Sequence, residues 1–188
     1  MASRQQVEVE ADGVDIETLW RALTTDRVEV IQKANPGFFT DSKILEGDGF
    51  ALGSLLCISF GAGEALLYFY SVFFLYIYNI SYIFIYYLLS KAASNLEPLK
   101  ERIVEFDERK HVVAVLGVEG GHLNLGFTHY VESFKLDDAG GGKTMVNACI
   151  TYDLRENFDG TQLLDEFLKL QRHYLDSIIA YLQQKHED

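Results

Sequence analysis

Apolar and polar residues recur along the chain with two different periods, and each period predicts a different kind of element. Residues 6–10 alternate polar and apolar, which is typical of a strand with one buried face. Asp15 is placed to cap a short helix that continues through Leu19 and Leu23. A second short helix is predicted over residues 27–33, because a proline and a glycine follow it closely. The chain therefore begins with a strand and two short helices.

The rest of the chain is predicted to form short strands and one long final helix. Strands are expected at residues 38–45, 55–60, 99–106, 112–118, 127–136 and 145–154, and most of the turns between them contain glycine or acidic residues. Strands this close in sequence favour an antiparallel meander. Residues 161–184 carry apolar side chains at helical spacing. A curved sheet around one amphipathic helix leaves a hollow, so the pattern predicts an α+β fold that binds a small apolar ligand.

One segment, residues 65–90, contains no charged residue, no glycine and no proline. As a helix it would be long enough to cross the roughly 30 Å apolar core of a bilayer. Three features argue against a membrane span. Its tyrosines are scattered through the middle, its flanks carry only Glu64 and Lys91, and it interrupts a chain with the pattern of a soluble fold. Membrane contact is expected only if this segment is a genuine span.

Composition narrows the classes of function. Asp and Glu total 28 against 16 Lys and Arg, and the resulting net charge of −12 argues against a nucleic-acid partner. Cys57 and Cys149 are predicted to be reduced, buried thiols of a cytosolic protein, and the start of the chain lacks a signal-peptide pattern. Cysteine and histidine lack the spacing of a zinc site, so neither a metal nor another cofactor is expected. His122, His129 and His173 are interpreted as core or surface residues.

Several motifs resemble those of the Bet v I family, which includes the major birch pollen allergen, the pathogenesis-related class-ten proteins and the norcoclaurine synthases. They are Leu45-Glu46-Gly47-Asp48-Gly49, Gly53-Ser54, Ile58-Ser59-Phe60, Leu99-Lys100-Glu101-Arg102, Phe106-Asp107-Glu108 and Val118-Glu119-Gly120-Gly121-His122-Leu123-Asn124-Leu125-Gly126-Phe127-Thr128. The pattern E-G-G-x-L-x-x-G in the last of these is the most specific, and it is most similar to the norcoclaurine-synthase branch. The resemblance implies a START-like helix-grip fold, in which a curved seven-stranded antiparallel sheet and two short helices surround a long C-terminal helix.

The resemblance covers nearly the whole chain except residues 66–92. We therefore expect a single domain, residues 1–188, interrupted by an apolar insertion at about 66–92. The insertion contains mainly residues whose codons are rich in thymine and adenine, so our first hypothesis is that it is translated intron sequence. A genuine insertion that extends a hairpin is the second hypothesis, and a membrane anchor is the third.

The resemblance also implies a set of cavity residues. Norcoclaurine synthases condense an aryl amine with an aldehyde, and that chemistry needs a lysine, acidic residues and a tyrosine in the cavity. By position the glutamate is kept as Glu101, and the aspartate falls on Glu132. The tyrosine falls on Leu99 and the lysine on Val113, so a phenol and a cation are missing, while Tyr130 matches an aromatic cavity position. These five positions are the candidate ligand-binding residues, and only the two glutamates keep a catalytic residue type.

Binding of a small hydrophobic ligand, a plant hormone or secondary metabolite, is the expected function, in defence or hormone signalling in the cytoplasm and also the nucleus. A norcoclaurine synthase-like enzyme that has lost most of its activity is the first alternative. An abscisic-acid-receptor-like inhibitor of a protein phosphatase is the second, although the proline-containing gate motif of those receptors is missing. The localisation alternative is a membrane, reached through the apolar insertion.

Deletion of residues 66–92 tests the interpretation of the insertion. The segment falls at a connection between two predicted strands, where few core contacts are broken, and an exposed apolar run promotes aggregation. We expect the shortened protein to be more soluble than the full chain and at least as stable in thermal unfolding. A shortened protein that fails to fold would show that the segment belongs to the core.

Overall fold

The computed structural model describes residues 2–36, 39–60 and 98–187, and the predicted order of elements is confirmed there. The strands are β1 (Ser3–Asp12), β2 (Phe39–Glu46), β3 (Leu55–Phe60), β4 (Leu99–Asp107), β5 (Val112–Glu119), β6 (Phe127–Gly140) and β7 (Lys143–Leu154). The helices are α1 (Ile16–Leu23), α2 (Arg27–Ala34) and α3 (Thr161–Glu187), and a 3₁₀ turn spans Gly121–Leu125. The three hypotheses about the insertion concern residues that lie outside the described ones.

The strands form one curved, seven-stranded antiparallel sheet in the order β1-β7-β6-β5-β4-β3-β2. Strands β1 and β2 are its edges, and β3 pairs with β4 from Leu55 opposite Arg102 to Ile58 opposite Leu99. The residues before and after the apolar segment therefore share one sheet. This architecture, with two short helices and a long C-terminal helix, confirms the predicted fold class.

The hairpin between β6 and β7 is longer than the sequence predicts. The sequence predicts that one strand ends at residue 136 and the next begins at residue 145, but Asp137 lies opposite Met145 and Asp138 lies opposite Thr144 in the ladder. The reversal is confined to Gly141 and Gly142, which both have a positive φ. Glycine adopts that conformation without steric cost, so a two-residue turn suffices and the acidic residues stay in the strand.

Helix α1 begins at the predicted cap. The Asp15 carboxylate accepts hydrogen bonds from the Thr18 backbone N–H at 3.0 Å and from the Thr18 hydroxyl at 2.7 Å. These bonds hold the pKa of Asp15 below its usual value. One of the otherwise unpaired N–H groups at the helix start is satisfied in this way.

The concave face of the sheet and the helices enclose two groups of apolar side chains. The main core joins β-strand residues such as Ile103, Phe134 and Val146 to Leu175 and Ile178 of α3. A second group, called here the aromatic cluster, is made of Phe127, Tyr130, Ile150, Tyr152, Leu163, Leu164 and Phe167. Burial of these side chains is the main stabilising term. The two groups leave a polar layer between them, which forms the candidate site.

Gly120 explains the first glycine of the E-G-G motif. Its φ is +75°, and a Cβ at this position would collide with the carbonyl oxygen of Pro98. The backbone of β4 can therefore approach the end of β5 closely only if residue 120 has no side chain. The motif is a requirement of the fold at the point where β5 leads into the 3₁₀ turn.

Replacement of Gly120 by alanine measures this close approach. Gly140 is a matched control, because its φ is +78° and a Cβ added there would have no neighbour within 4 Å among the described residues. We expect Gly140→Ala to lower the free energy of unfolding by about 1 kcal/mol and Gly120→Ala to lower it by at least about 2 kcal/mol more. Urea unfolding provides the measurement, and equal losses in the two variants would contradict the argument.

Candidate functional site

The alternation of β4 places Leu99, Glu101 and Ile103 on the concave face, where all three are buried. Glu101 lies opposite Gly117 of β5. One row further along the sheet, Ile103 lies opposite Val115, and Val115 lies opposite Glu132 of β6. Residues directly opposite each other in an antiparallel ladder share a face, so both glutamates lie on the concave side in neighbouring rows.

Glu101 is held by a buried ion pair. Its Oε2 is 3.1 Å from Nη1 of Arg27, and the two side chains are only 7% and 9% exposed. Burial lowers the pKa of Arg27 more than any single neighbour raises it, but Glu101, Tyr174 and Glu132 together outweigh burial and the net pKa is raised. Tyr174 of α3 also hydrogen bonds to Arg27. Arg27 therefore connects the start of α2 to β4 and to α3.

Glu132 has a different environment. Its Oε1 accepts a hydrogen bond of 2.9 Å from Nε2 of Gln171, a neutral group on α3. Burial raises the pKa of Glu132, and the nearby charge of Arg27 opposes that effect only in part. Within the described residues, no cation lies within 4.0 Å of the Glu132 carboxylate. The two carboxylates are therefore unequal, since one has a cationic partner and the other has an amide.

His122 closes the aromatic end of the site. Its ring stacks on Tyr130 with centroids 3.8 Å apart and planes inclined by 7°, and it meets Phe167 edge-on at 4.6 Å. Burial lowers the pKa of His122 to about 4, and burial also raises the pKa of Tyr130. Both rings are consequently neutral at pH 7. His122 therefore packs against the aromatic cluster through Tyr130 and Phe167.

The five positions expected from the sequence fall in two sets. Glu101, Tyr130 and Glu132 lie around the polar layer, while Leu99 and Val113 are buried at 3% and 2% exposure on its two sides. Leu99 packs at Gly121, where a Cβ would come within 2.8 Å of its side chain. Val113 belongs to the main core. Buried apolar side chains therefore occupy the two positions at which the family resemblance led us to expect a phenol and a lysine.

Sequence reasoning did not identify Arg27, Gln171 and Tyr174 as site residues. Gln171 had a usable signal, because it is a polar residue in the apolar stripe of α3 and is only 4% exposed. Arg27 had no such signal in the sequence, because a charged side chain at the start of a helix is usually solvated. Its partner Glu101 is 74 residues away in the chain, beyond the reach of local patterns.

The remaining candidates for chemistry are dispersed. His129 lies on β6 and His173 on α3, and within residues 2–36, 39–60 and 98–187 no three His, Cys, Asp or Glu side chains are grouped to hold a metal ion. Cys149 is a buried free thiol as predicted, whereas Cys57 is only half-buried. The Nε of Arg4 donates to Sγ of Cys149 at 2.8 Å on the convex face.

Known proteins with a similar sequence or fold come from several plants. No protein-family model matches the chain. Norbelladine synthase of Narcissus pseudonarcissus is 24% identical over 139 residues, which cover 73% of this chain and 67% of the relative. The structure of norcoclaurine synthase from Thalictrum flavum, in complex with dopamine and hydroxybenzaldehyde, superposes with a TM-score of 0.65 at 16% identity, covering 98% of this chain and 88% of that one.

A major latex-like protein of Panax ginseng superposes with a TM-score of 0.62 at 19% identity and covers 96% of this chain and 97% of its own. This chain has the Bet v I fold. The resemblance stated from the motifs is thereby confirmed at the level of architecture. None of the described helices is both long enough and apolar enough to cross a membrane.

Replacement of His122 by phenylalanine tests the aromatic end of the site. Because the folded protein holds the pKa of His122 near 4, below its usual 6.5, neutral His122 stabilises the fold above pH 6.5. That stability is lost as the pH falls from 6.5 to 4, and it amounts to at most about 3 kcal/mol. We expect His122→Phe to unfold like the wild type at pH 7 and to lose less stability at pH 5. Parallel losses of unfolding free energy in urea at both pH values would contradict this assignment.

Proposed function

We propose that this protein binds a small, largely apolar ligand in a hollow between the concave face of the sheet and α3. The observation that carries the proposal is the bare surface at Gly117. This residue lies in mid-strand between Glu101 and Tyr130. Among the described residues, a Cβ there would meet only the Tyr130 backbone oxygen, at 3.6 Å. A position in the middle of a sheet normally faces packed side chains, so free space at this one indicates a hollow.

The burial of neighbouring residues supports the same conclusion. Glu132 and His122 both lie on the concave side, yet each keeps part of its surface accessible. Glu132 lies one row from Gly117 in the sheet register, and His122 stacks on Tyr130 of the neighbouring strand. A hollow lined by aromatic rings and a few polar groups is the usual form of a small-molecule site.

The composition of the lining indicates how a ligand would lie. Tyr130, Phe127 and Phe167 offer ring faces and edges for an apolar or aromatic body. Glu132 and Glu101 are at the opposite side of the hollow and offer oxygen atoms to a polar end. Leu99 and Val113 contribute apolar walls. We propose an amphiphilic metabolite or hormone as ligand, in the defence or hormone-signalling setting that the family resemblance implies.

Residual synthase activity is the second candidate function, and the closeness of Glu101 and Glu132 favours it. Two carboxylates with different environments can divide the roles of base and acid. The relatives named above are norbelladine and norcoclaurine synthases. Against activity stand Val113 and Leu99, because proton transfer by a positioned side chain contributes about 10²–10⁴-fold and both expected side chains are missing. A phosphatase partner and a nuclear location rest on the resemblance alone.

Filling the hollow from Gly117 tests ligand binding. We expect the full chain to bind the neutral fluorescent dye N-phenyl-1-naphthylamine, with blue-shifted and enhanced emission. Gly117→Phe should weaken dye binding at least about tenfold, because the ring occupies the space that the dye needs. Gly117→Ala is the matched control and should bind within about threefold of the wild type, since one methyl group fits beside Tyr130.

Two outcomes would contradict the proposal. Undiminished dye binding by a folded Gly117→Phe variant would place the dye elsewhere on the molecule. A clear rate of condensation between a dopamine-like amine and an aldehyde, catalysed by the unaltered protein, would replace the binding role with an enzymatic one. That assay is a necessary companion, because the relatives named above include synthases.

A further inference from the structure

The charges around the hollow do not balance. Among the described residues, two acids, Glu101 and Glu132, lie on its polar side, and Arg27 is the buried cation there. Lys33 of α2 and Lys169 and Arg172 of α3 are more than half exposed. A ligand that enters the hollow therefore meets the charges of these three residues, Glu101, Glu132 and Arg27.

The hydrogen-bonding capacity of Arg27 is directed at protein groups. Nη1 is bonded to the Glu101 carboxylate, and the guanidinium also bonds the Tyr174 hydroxyl. Breaking a buried ion pair leaves an uncompensated charge in an apolar environment, so a ligand carboxylate cannot readily take the place of Glu101. Arg27 lies in the site, but its guanidinium already bonds Glu101 and Tyr174.

Glu132 is the acid that remains for the ligand. Its hydrogen-bond partner is the neutral amide of Gln171, and a carboxyl group has two oxygens with several acceptor positions. A ligand hydroxyl or N–H can donate to it directly. A ligand carboxylate would instead place a second negative charge beside it, in surroundings that screen charge poorly.

We propose that Arg27 sets the charge selectivity of the hollow: by neutralising Glu101 it leaves Glu132 as the unmatched acid, so the site takes ligands with an uncharged donor group and rejects carboxylates. The inference rests on the proposed ligand-binding function and specifies its ligand class. It also predicts that the selectivity can be inverted. If both glutamates lose their charge, Arg27 becomes the only charge of the three and should attract a carboxylate.

The experiment uses two probes of nearly equal size, 2-naphthol and 2-naphthoate, which compete with N-phenyl-1-naphthylamine at pH 7. The wild type should bind naphthol at least about tenfold more tightly than naphthoate. Glu132→Gln keeps the shape and the bond to Gln171, and should reduce this ratio to about threefold or less. The double variant Glu101→Gln with Glu132→Gln should prefer naphthoate.

A triple variant supplies the matched control. Adding Arg27→Met to the double variant removes the cation and leaves an uncharged site, so the preference for naphthoate should disappear. Circular dichroism confirms that each variant is folded. If the double variant is too unstable to assay, the ratio in Glu132→Gln alone decides, because that substitution leaves the Arg27–Glu101 pair intact.

The outcomes separate this inference from the proposed function. Wild-type protein that binds both probes equally, or a ratio unchanged by Glu132→Gln, overturns the charge selectivity while ligand binding stands. Protein that binds neither the dye nor either naphthalene overturns the proposed function and the selectivity with it. Preference for naphthoate that persists in the triple variant would show that a cation other than Arg27 binds the carboxylate.

Discussion

The buried ion pair between Arg27 and Glu101 is the contact on which the site depends. It joins helix α2 to strand β4, and through Tyr174 it also reaches helix α3. Removing one partner of such a pair typically costs about 3–5 kcal/mol, because the other charge is left buried without compensation. The pair therefore fixes the distance between α2 and the concave face of the sheet. It also links residues from both sides of the apolar segment, as the β3–β4 ladder does.

Much of the fold was predictable because alternation and helical spacing are local signals. The concave positions Glu101, Tyr130 and Glu132 could also be placed from motif positions, and the structure brings them together. Their division of roles could not be predicted, since it depends on Arg27 and Gln171, which approach from two different helices. Whether a carboxylate meets a cation or an amide is decided by tertiary packing. Local sequence patterns do not indicate which of these two partners a buried carboxylate will meet.

The errors have the same physical origin. The acidic residues at 137 and 138 favoured a turn, but pairing with β7 kept them in the strand once Gly141 and Gly142 could reverse the chain. Gly117 departs from what a glycine inside a strand usually indicates. A glycine inside a strand usually marks a bulge or a close backbone approach. Here a Cβ would meet one described atom, the Tyr130 backbone oxygen at 3.6 Å, so the missing side chain does not relieve a close contact among the described residues.

The proposed hollow has two chemically distinct sides, and this asymmetry implies an orientation of the ligand as well as a preference. The stacked rings of His122 and Tyr130 are neutral and accept an apolar surface. The side at Glu132 accepts a donated hydrogen bond whether or not the carboxyl group is protonated, because at least one oxygen keeps a lone pair available. A ligand that satisfies both sides must carry its donor group at one end of an apolar body. The buried Arg27–Glu101 pair contributes to this requirement without touching the ligand, because it engages the buried cation that, among the described residues, could have favoured an anion.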